Sequence, residues 1–226
     1  MTNNDPPRVG ALLRTAAAHA VPLVRDTPDT ALDAPTPCAE YDVRALLNHL
    51  FDVVVNFRAL AAKRSADFSG APDRLADADW RDRFEDETGK LVDAWSAPGA
   101  DEGTTGSLGL PARTVGCMVL LDLTVHAWDL ARATGRRFEP DPAVVEGLAE
   151  EVEGMAPMAR KAGVFGEAVE PPADATAFER LLATTGRAPR PAAPRDPPRP
   201  TIRARPGPAP PRRLRTTEGD QEVTRQ

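Results

Sequence analysis

The sequence predicts an all-α protein: an up-and-down four-helix bundle with short extra helices, followed by a disordered C-terminal tail. Three observations lead there. Apolar residues recur at helical spacing through most of the first 160 residues. No alternating strand pattern of any length occurs, and no internal repeat. Near residue 187 the composition changes: 187–226 holds ten Arg, four acidic residues and ten of the 24 prolines, while all eleven aromatics lie before it. Such a segment cannot bury enough apolar area to offset its chain entropy. The expected organisation is therefore one acidic domain, 1–186, of formal charge −12, and a basic tail, 187–226, of charge +6.

The first expected helix runs over 7–24, with Val9, Leu12, Leu13, Ala16, Ala17 and Ala20 on its inner stripe. Pro22 should kink it or end it early. Asp42 can cap the second, whose face carries Leu46, Leu47, Leu50, Val54, Phe57 and Leu60. Trp80, Phe84, Leu91 and Trp95 place a third over 76–95. The Gly- and Pro-containing run GADEGTTGSLGLPA then marks a loop or a short irregular strand pair. The fourth helix, 113–134, is apolar nearly all round, which implies burial on several sides, and Gly135 stops it. Asp141-Pro142 is a start signal for a fifth helix carrying Val144, Val145, Leu148, Val152 and Met155. A short sixth covers 176–184.

Composition narrows the function classes. Of the 226 residues, 41% are hydrophobic and 27% charged, as in ordinary globular proteins. No run of 18 to 20 consecutive apolar residues occurs, so no membrane partner is expected. The start, MTNNDPPRVG, lacks a basic region followed by an apolar one, so no secretory signal is expected. Two cysteines, Cys38 and Cys117, are too few for a disulfide scaffold and suit a reducing cytoplasm. Glycine-rich nucleotide motifs and the common hydrolase motifs are missing.

Three histidines make the chemical inventory short. His19 has no nearby acidic or thiol partner. His49 borders the apolar face of the second helix. His126 lies in LLDLTVHAWDLA on the most buried helix, where Asp122, His126 and Asp129 are spaced i, i+4 and i+7 and share one face. Charges buried there need partners. One explanation is a divalent metal held by Asp122 and His126, one turn apart, with His49 from a facing helix. Three protein ligands leave a position open for water or substrate, the arrangement of catalytic sites. Asp129 then accepts a hydrogen bond from a ring N–H behind the ligands. The other explanation is a set of satisfied polar core residues. Cys38, in PTPCAEYDV before the second helix, reads as a packing residue that can also ligate a nearby metal.

Three segments, DAPTPCAEYDVRALLNHL, LLDLTVHAWDLARATG and VFGEAVEPPADATAFERLLATTGRAP, resemble signature stretches of an actinobacterial metal-binding family. It is related to the N-terminal domain of mycothiol-dependent maleylpyruvate isomerase, which has the DinB/YfiT-like four-helix fold. The resemblance covers roughly residues 8–189. It implies that His49, Asp122 and His126 bind a divalent metal. Asp122 stands where the isomerase has Glu, and Cys38-Ala39-Glu40-Tyr41 replaces the usual Cys-Pro-Gly-Trp. The resemblance also implies mycothiol as cofactor. The isomerase carries a further C-terminal domain that a Pro/Arg tail does not replace.

The lead function is a metal-dependent thiol transferase or isomerase, in which metal coordination turns a thiol such as mycothiol into a nucleophile. Its partners are a small-molecule thiol and an electrophilic substrate. The alternatives are a non-catalytic metal-binding or sensing module and a purely structural bundle. Zinc suits two imidazoles and a carboxylate, with nickel, manganese and iron as other choices. The catalytic residues and the oligomeric state, monomer or homodimer, stay open. The tail is the one segment with the charge to contact nucleic acid, and its leading interpretation is a disordered extension without function.

Overall fold

The computed structural model describes residues 7–70, 72–107 and 109–190. Helix α1 (Val9–Arg25) buries Val9, Leu12, Leu13, Ala16, Ala17, Ala20, Leu23 and Val24, a stripe set by the spacing of three and four. Pro22 does not end it. Leu23 and Val24 are buried beyond the proline, and the last carbonyls are satisfied by Asp26 N on Pro22 O (3.0 Å) and Thr27 Oγ1 on Leu23 O (2.8 Å). These contacts outweigh the one backbone bond that the ring removes.

Helix α2 (Val43–Ala61) starts at Asp42, whose side chain accepts a hydrogen bond from Ala45 N at 2.8 Å. Helix α3 (Trp80–Ser96) begins four residues later than expected. Residues 76–79 form turns instead, with Trp80 N on Asp77 O at 3.2 Å, because Asp77 and Asp79 favour turn and cap conformations over a helix interior. The glycine-rich run holds a two-residue antiparallel pair, β1 (Thr104–Thr105) with β2 (Leu110–Pro111). Helix α4 (Ala112–Ala133) follows directly and stops at Gly135, whose φ of +67° suits glycine. Helix α5 (Pro142–Lys161) starts at the Asp141 cap and continues through Pro157. Helix α6 (Ala177–Thr184) opens with a reciprocal capping box between Thr176 and Glu179.

The architecture is all-α apart from the small strand pair. Helices α1 and α2 each pack against both α3 and α4, while α5 packs on α6, α1 and α4. One end of α1 approaches its neighbours closely. A Cβ at Gly10 would meet Ser96 Cα at 2.6 Å, and one at Gly116 would meet Val9 Cγ1 at 2.6 Å and Trp95 Cζ3 at 2.9 Å. Only glycine lets the three helices come this near.

Helix α4 is buried along most of its length. By length and composition it is apolar enough to cross a membrane, although polar residues interrupt its apolar run. Its apolar window is 83% buried within the protein, so packing against α1, α2 and α5 accounts for its hydrophobicity.

The chain divides into two units, Met1–Pro191 and Ala192–Gln226. Arg187 and Arg190, which composition assigns to the tail, are held on the first unit. Arg187 N donates to Leu182 O (2.9 Å), and Arg190 pairs with Glu179 and with Asp174 Oδ1 (2.9 Å). The expected tail from 191 onward lies outside the described residues.

Candidate metal centre

The packing of α2 on α4 sets His49 against the polar face of the buried helix. His49, Asp122 and His126 offer ligand atoms that all lie within 4.8 Å of one another. His49 Nε2 is 3.9 Å and His126 Nε2 3.7 Å from Asp122 Oδ1, and the two imidazole rings stand nearly perpendicular, 5.0 Å between centroids. His49 and Asp122 are half-buried, whereas His126 is buried.

These separations can be set against two arrangements of such groups. A direct hydrogen bond brings nitrogen and oxygen to about 2.7–3.2 Å. Ligands around a tetrahedral ion with bonds of about 2.0–2.1 Å stand about 3.4 Å apart. The observed 3.7 and 3.9 Å are too long for the former and a few tenths of an ångström from the latter. Two imidazoles and one carboxylate are a donor set that fits a divalent cation.

The other ring nitrogens face away from the centre. His126 Nδ1 lies 3.0 Å from Asp129 Oδ2, which also accepts from Arg187 Nη2 at 3.0 Å. Asp129 is fully buried. The guanidinium on the far side of Asp129 keeps this carboxylate between two nitrogen partners, so His126 turns its other ring nitrogen, Nε2, toward Asp122. Arg187 also donates to Thr185 O at 3.2 Å, which fixes the guanidinium from the short stretch after α6. Asp129 Oδ1 and Arg187 Nε make no hydrogen bond among the described residues.

Tyr41 covers His49. Their rings stack 5.1 Å apart, and the Tyr41 hydroxyl lies 3.5 Å from His49 Nδ1. The loop that carries it is tied by Thr36, whose Oγ1 donates to Tyr41 O at 2.7 Å and accepts from Cys38 N at 3.1 Å. Burial, aided by nearby acidic groups, pushes the Tyr41 hydroxyl above its ordinary pKa, so it stays protonated.

Cys38, His126 and Asp129 form a second cluster within 4.8 Å. The Arg187 guanidinium already neutralises its carboxylate, so a cation gains little there. Burial raises the Cys38 pKa, with Arg187 opposing it. Cys117, on α4, is pushed up to about 12 by burial and is an inert core thiol. His19 lies away from the cluster, edge-on to Phe138 at 6.5 Å.

Two clefts flank the three-residue cluster, of about 580 and 260 Å³. Tyr41, His49 and Asp122 line both. The sequence alone had not singled out Arg187 or Tyr41 for the site. The signal for Arg187 was Asp129 itself, a carboxylate on a buried helix that demands a cationic partner.

The family model described as the mycothiol maleylpyruvate isomerase N-terminal domain matches residues 13–131, more than half of the chain. His49, Asp122, His126, Asp129 and Tyr41 all fall inside that match, and Arg187 falls beyond it. No curated protein and no solved structure matches the chain at a significant level. On the extent of the family match, the chain belongs to the mycothiol maleylpyruvate isomerase N-terminal domain family.

Proposed function

We propose that the chain holds a divalent metal through His49, Asp122 and His126 and uses it to activate a low-molecular-weight thiol, mycothiol in the first instance, as a transferase or isomerase. The observation that carries this is the convergence of two Nε2 atoms on Asp122 Oδ1 at 3.7 and 3.9 Å, spacings suited to an ion between them. The thiol is supported by the family, whose description names mycothiol. A bound divalent metal supplies a Lewis acid that lowers the pKa of a thiol at its open position and makes it nucleophilic at neutral pH.

The chain's own residues do the rest. His49 and His126 would present their Nε2 atoms to the ion, and Asp122 adds the charge that favours a dication. Asp129 orients the His126 ring through the contact at Nδ1, 3.0 Å. Tyr41 stacks on His49 and shields it from water on one face. Zinc is the metal that best suits this donor set, ahead of nickel, manganese or iron. We read the packing of α1 and α2 on α3 and α4 as an up-and-down four-helix bundle of the DinB/YfiT type. We also place the chain in the cytoplasm, in keeping with its two free cysteines, with a thiol and an electrophile as its partners.

The test is metal-dependent conjugation. Metal-loaded protein is incubated with mycothiol and a panel of electrophiles, and thiol consumption is followed. Consumption that stops on chelation and in His126→Ala supports the enzyme. A metal-loaded protein that consumes no thiol across the panel is a binding or sensing module instead.

A further inference from the structure

A third cleft, of about 780 Å³, lies beside α5 and α6, and none of the three expected ligands lines it. Its walls are aromatic. The partly buried Phe138 and Phe178 have ring centroids 6.2 Å apart, and Trp128 stands beside them. From α5 come Pro142, Val145, Glu146 and Ala149, whose spacing of three and four makes one stripe. Seven residue steps make that stripe about 10 Å long. The rim is acidic, and part of its charge is already committed. Glu139 accepts from Arg137 at 3.1 Å, Glu179 accepts from Arg190 at 2.9 Å, and Arg132 lies 5.9 Å from the Trp128 ring. Glu146 is exposed and makes no ion pair among the described residues.

An aromatic groove with a free carboxylate at its rim suits a proline-rich strand that carries a basic side chain. Such strands enter binding already in the polyproline II form, so little chain entropy is lost on docking. The chain itself supplies one at the edge of the cleft. Pro189 lines the cleft, and Arg190 is fixed by donating to Asp174 Oδ1 and Glu179 Oε2, both at 2.9 Å. The sequence then reads PAAPRDPPRP, with prolines at 191, 194, 197 and 200. Polyproline II has three residues per turn, so this period of three sets the four prolines on one ridge, about 9 Å between neighbours. That repeat matches the length of the α5 stripe. The same ten residues hold Arg195 and Arg199 against one acid, Asp196.

We infer that this cleft is a recognition groove for proline-rich sequence and that residues 191–200 of the same chain are its occupant. Two neighbouring prolines of the ridge pack against Phe138, Phe178 and the α5 stripe, and an arginine meets Glu146. Any other proline-rich peptide then binds only in competition with this segment.

Fluorine NMR of the full-length chain labelled with 4-fluorophenylalanine tests this, with Phe138→Leu and Phe178→Leu to assign the two signals. Pro191→Ser, Pro194→Ser, Pro197→Ser and Pro200→Ser together remove the ridge and keep every charge. This fourfold variant should move the Phe138 and Phe178 signals and leave those of Phe51, Phe57 and Phe84 in place. A fluorescent synthetic peptide of residues 191–200, followed by anisotropy, should bind the variant at least about tenfold more tightly than wild type. In wild type the tethered segment competes at an effective concentration of about millimolar. Glu146→Arg in the variant background should weaken the peptide about threefold or more. Coincident Phe138 and Phe178 signals in wild type and variant, or equal peptide affinity for the two, overturn the inference. So do wild-type signals that move toward those of the variant on dilution, which would assign the groove to the segment of a second copy.

Discussion

Asp129 is the residue on which the centre turns, although it is not one of the three expected ligands. Fully buried, it joins His126 on one side and Arg187 on the other, each at 3.0 Å. Arg187 therefore reaches His126 through Asp129. Arg187→Met should weaken metal affinity by about tenfold or more, the usual cost of disturbing the groups behind a ligand. In an Asp129→Asn background the same substitution should cost little further, because its route is already cut. Competition against a chromophoric chelator measures both, and additive losses would show that Arg187 acts by another path. The cluster of Asp122, His126 and Asp129 was legible from spacing because a charged face on an apolar helix is conspicuous, and His49 stood out as a histidine at the edge of the apolar face of α2. Arg187 was not. One Arg among 25, in a Pro- and Arg-rich stretch, carries no local sign that it crosses 58 residues to a buried carboxylate.

At the level of elements, helical periodicity and caps located α1, α2, α4, α5 and α6 because burial and capping both act locally. The start of α3 and the passage of α1 through Pro22 were less legible, since each depends on tertiary contacts beyond a local pattern. The meeting of α1, α3 and α4 is of the same kind. Gly116→Ala would drive a methyl to 2.6 Å from Val9 Cγ1, and Gly10→Ala would drive one against α3 backbone. Each should cost about 1–3 kcal/mol in denaturant unfolding, with Gly10 less able to relax. Helix α6 adds a pH dependence. Hydrogen bonds from Arg190, then from Thr176 N, hold Glu179 down at about 2, below its ordinary 4.5. A depressed carboxylate contributes stability that is complete above the unfolded value and lost as pH falls toward the folded one. The melting-temperature difference between wild type and Glu179→Gln should therefore be constant above about pH 4.5 and shrink toward zero near pH 2. A difference that persists unchanged to pH 2 would rule out this contribution.

At the scale of the whole molecule, the formal charge of −6 conceals two segments of opposite sign, and the three expected ligands lie in the acidic one. Its core helix α4 does two jobs at once. It presents apolar side chains to the surrounding helices and keeps one polar face for Asp122, His126 and Asp129. Polar groups so placed are costly unless they are satisfied: Arg187 pairs with Asp129, and the proposed cation would satisfy Asp122 and His126. The measurement that bears on this is metal content per chain in protein purified without chelator or nickel affinity resin, compared with His49→Ala, Asp122→Asn and His126→Ala. Wild type should carry about one divalent ion per chain, and each variant should lose most of it, as removal of one of three ligands requires. Wild-type protein that stays metal-free when offered zinc, or a His49→Ala/His126→Ala double variant that retains the ion, would contradict it.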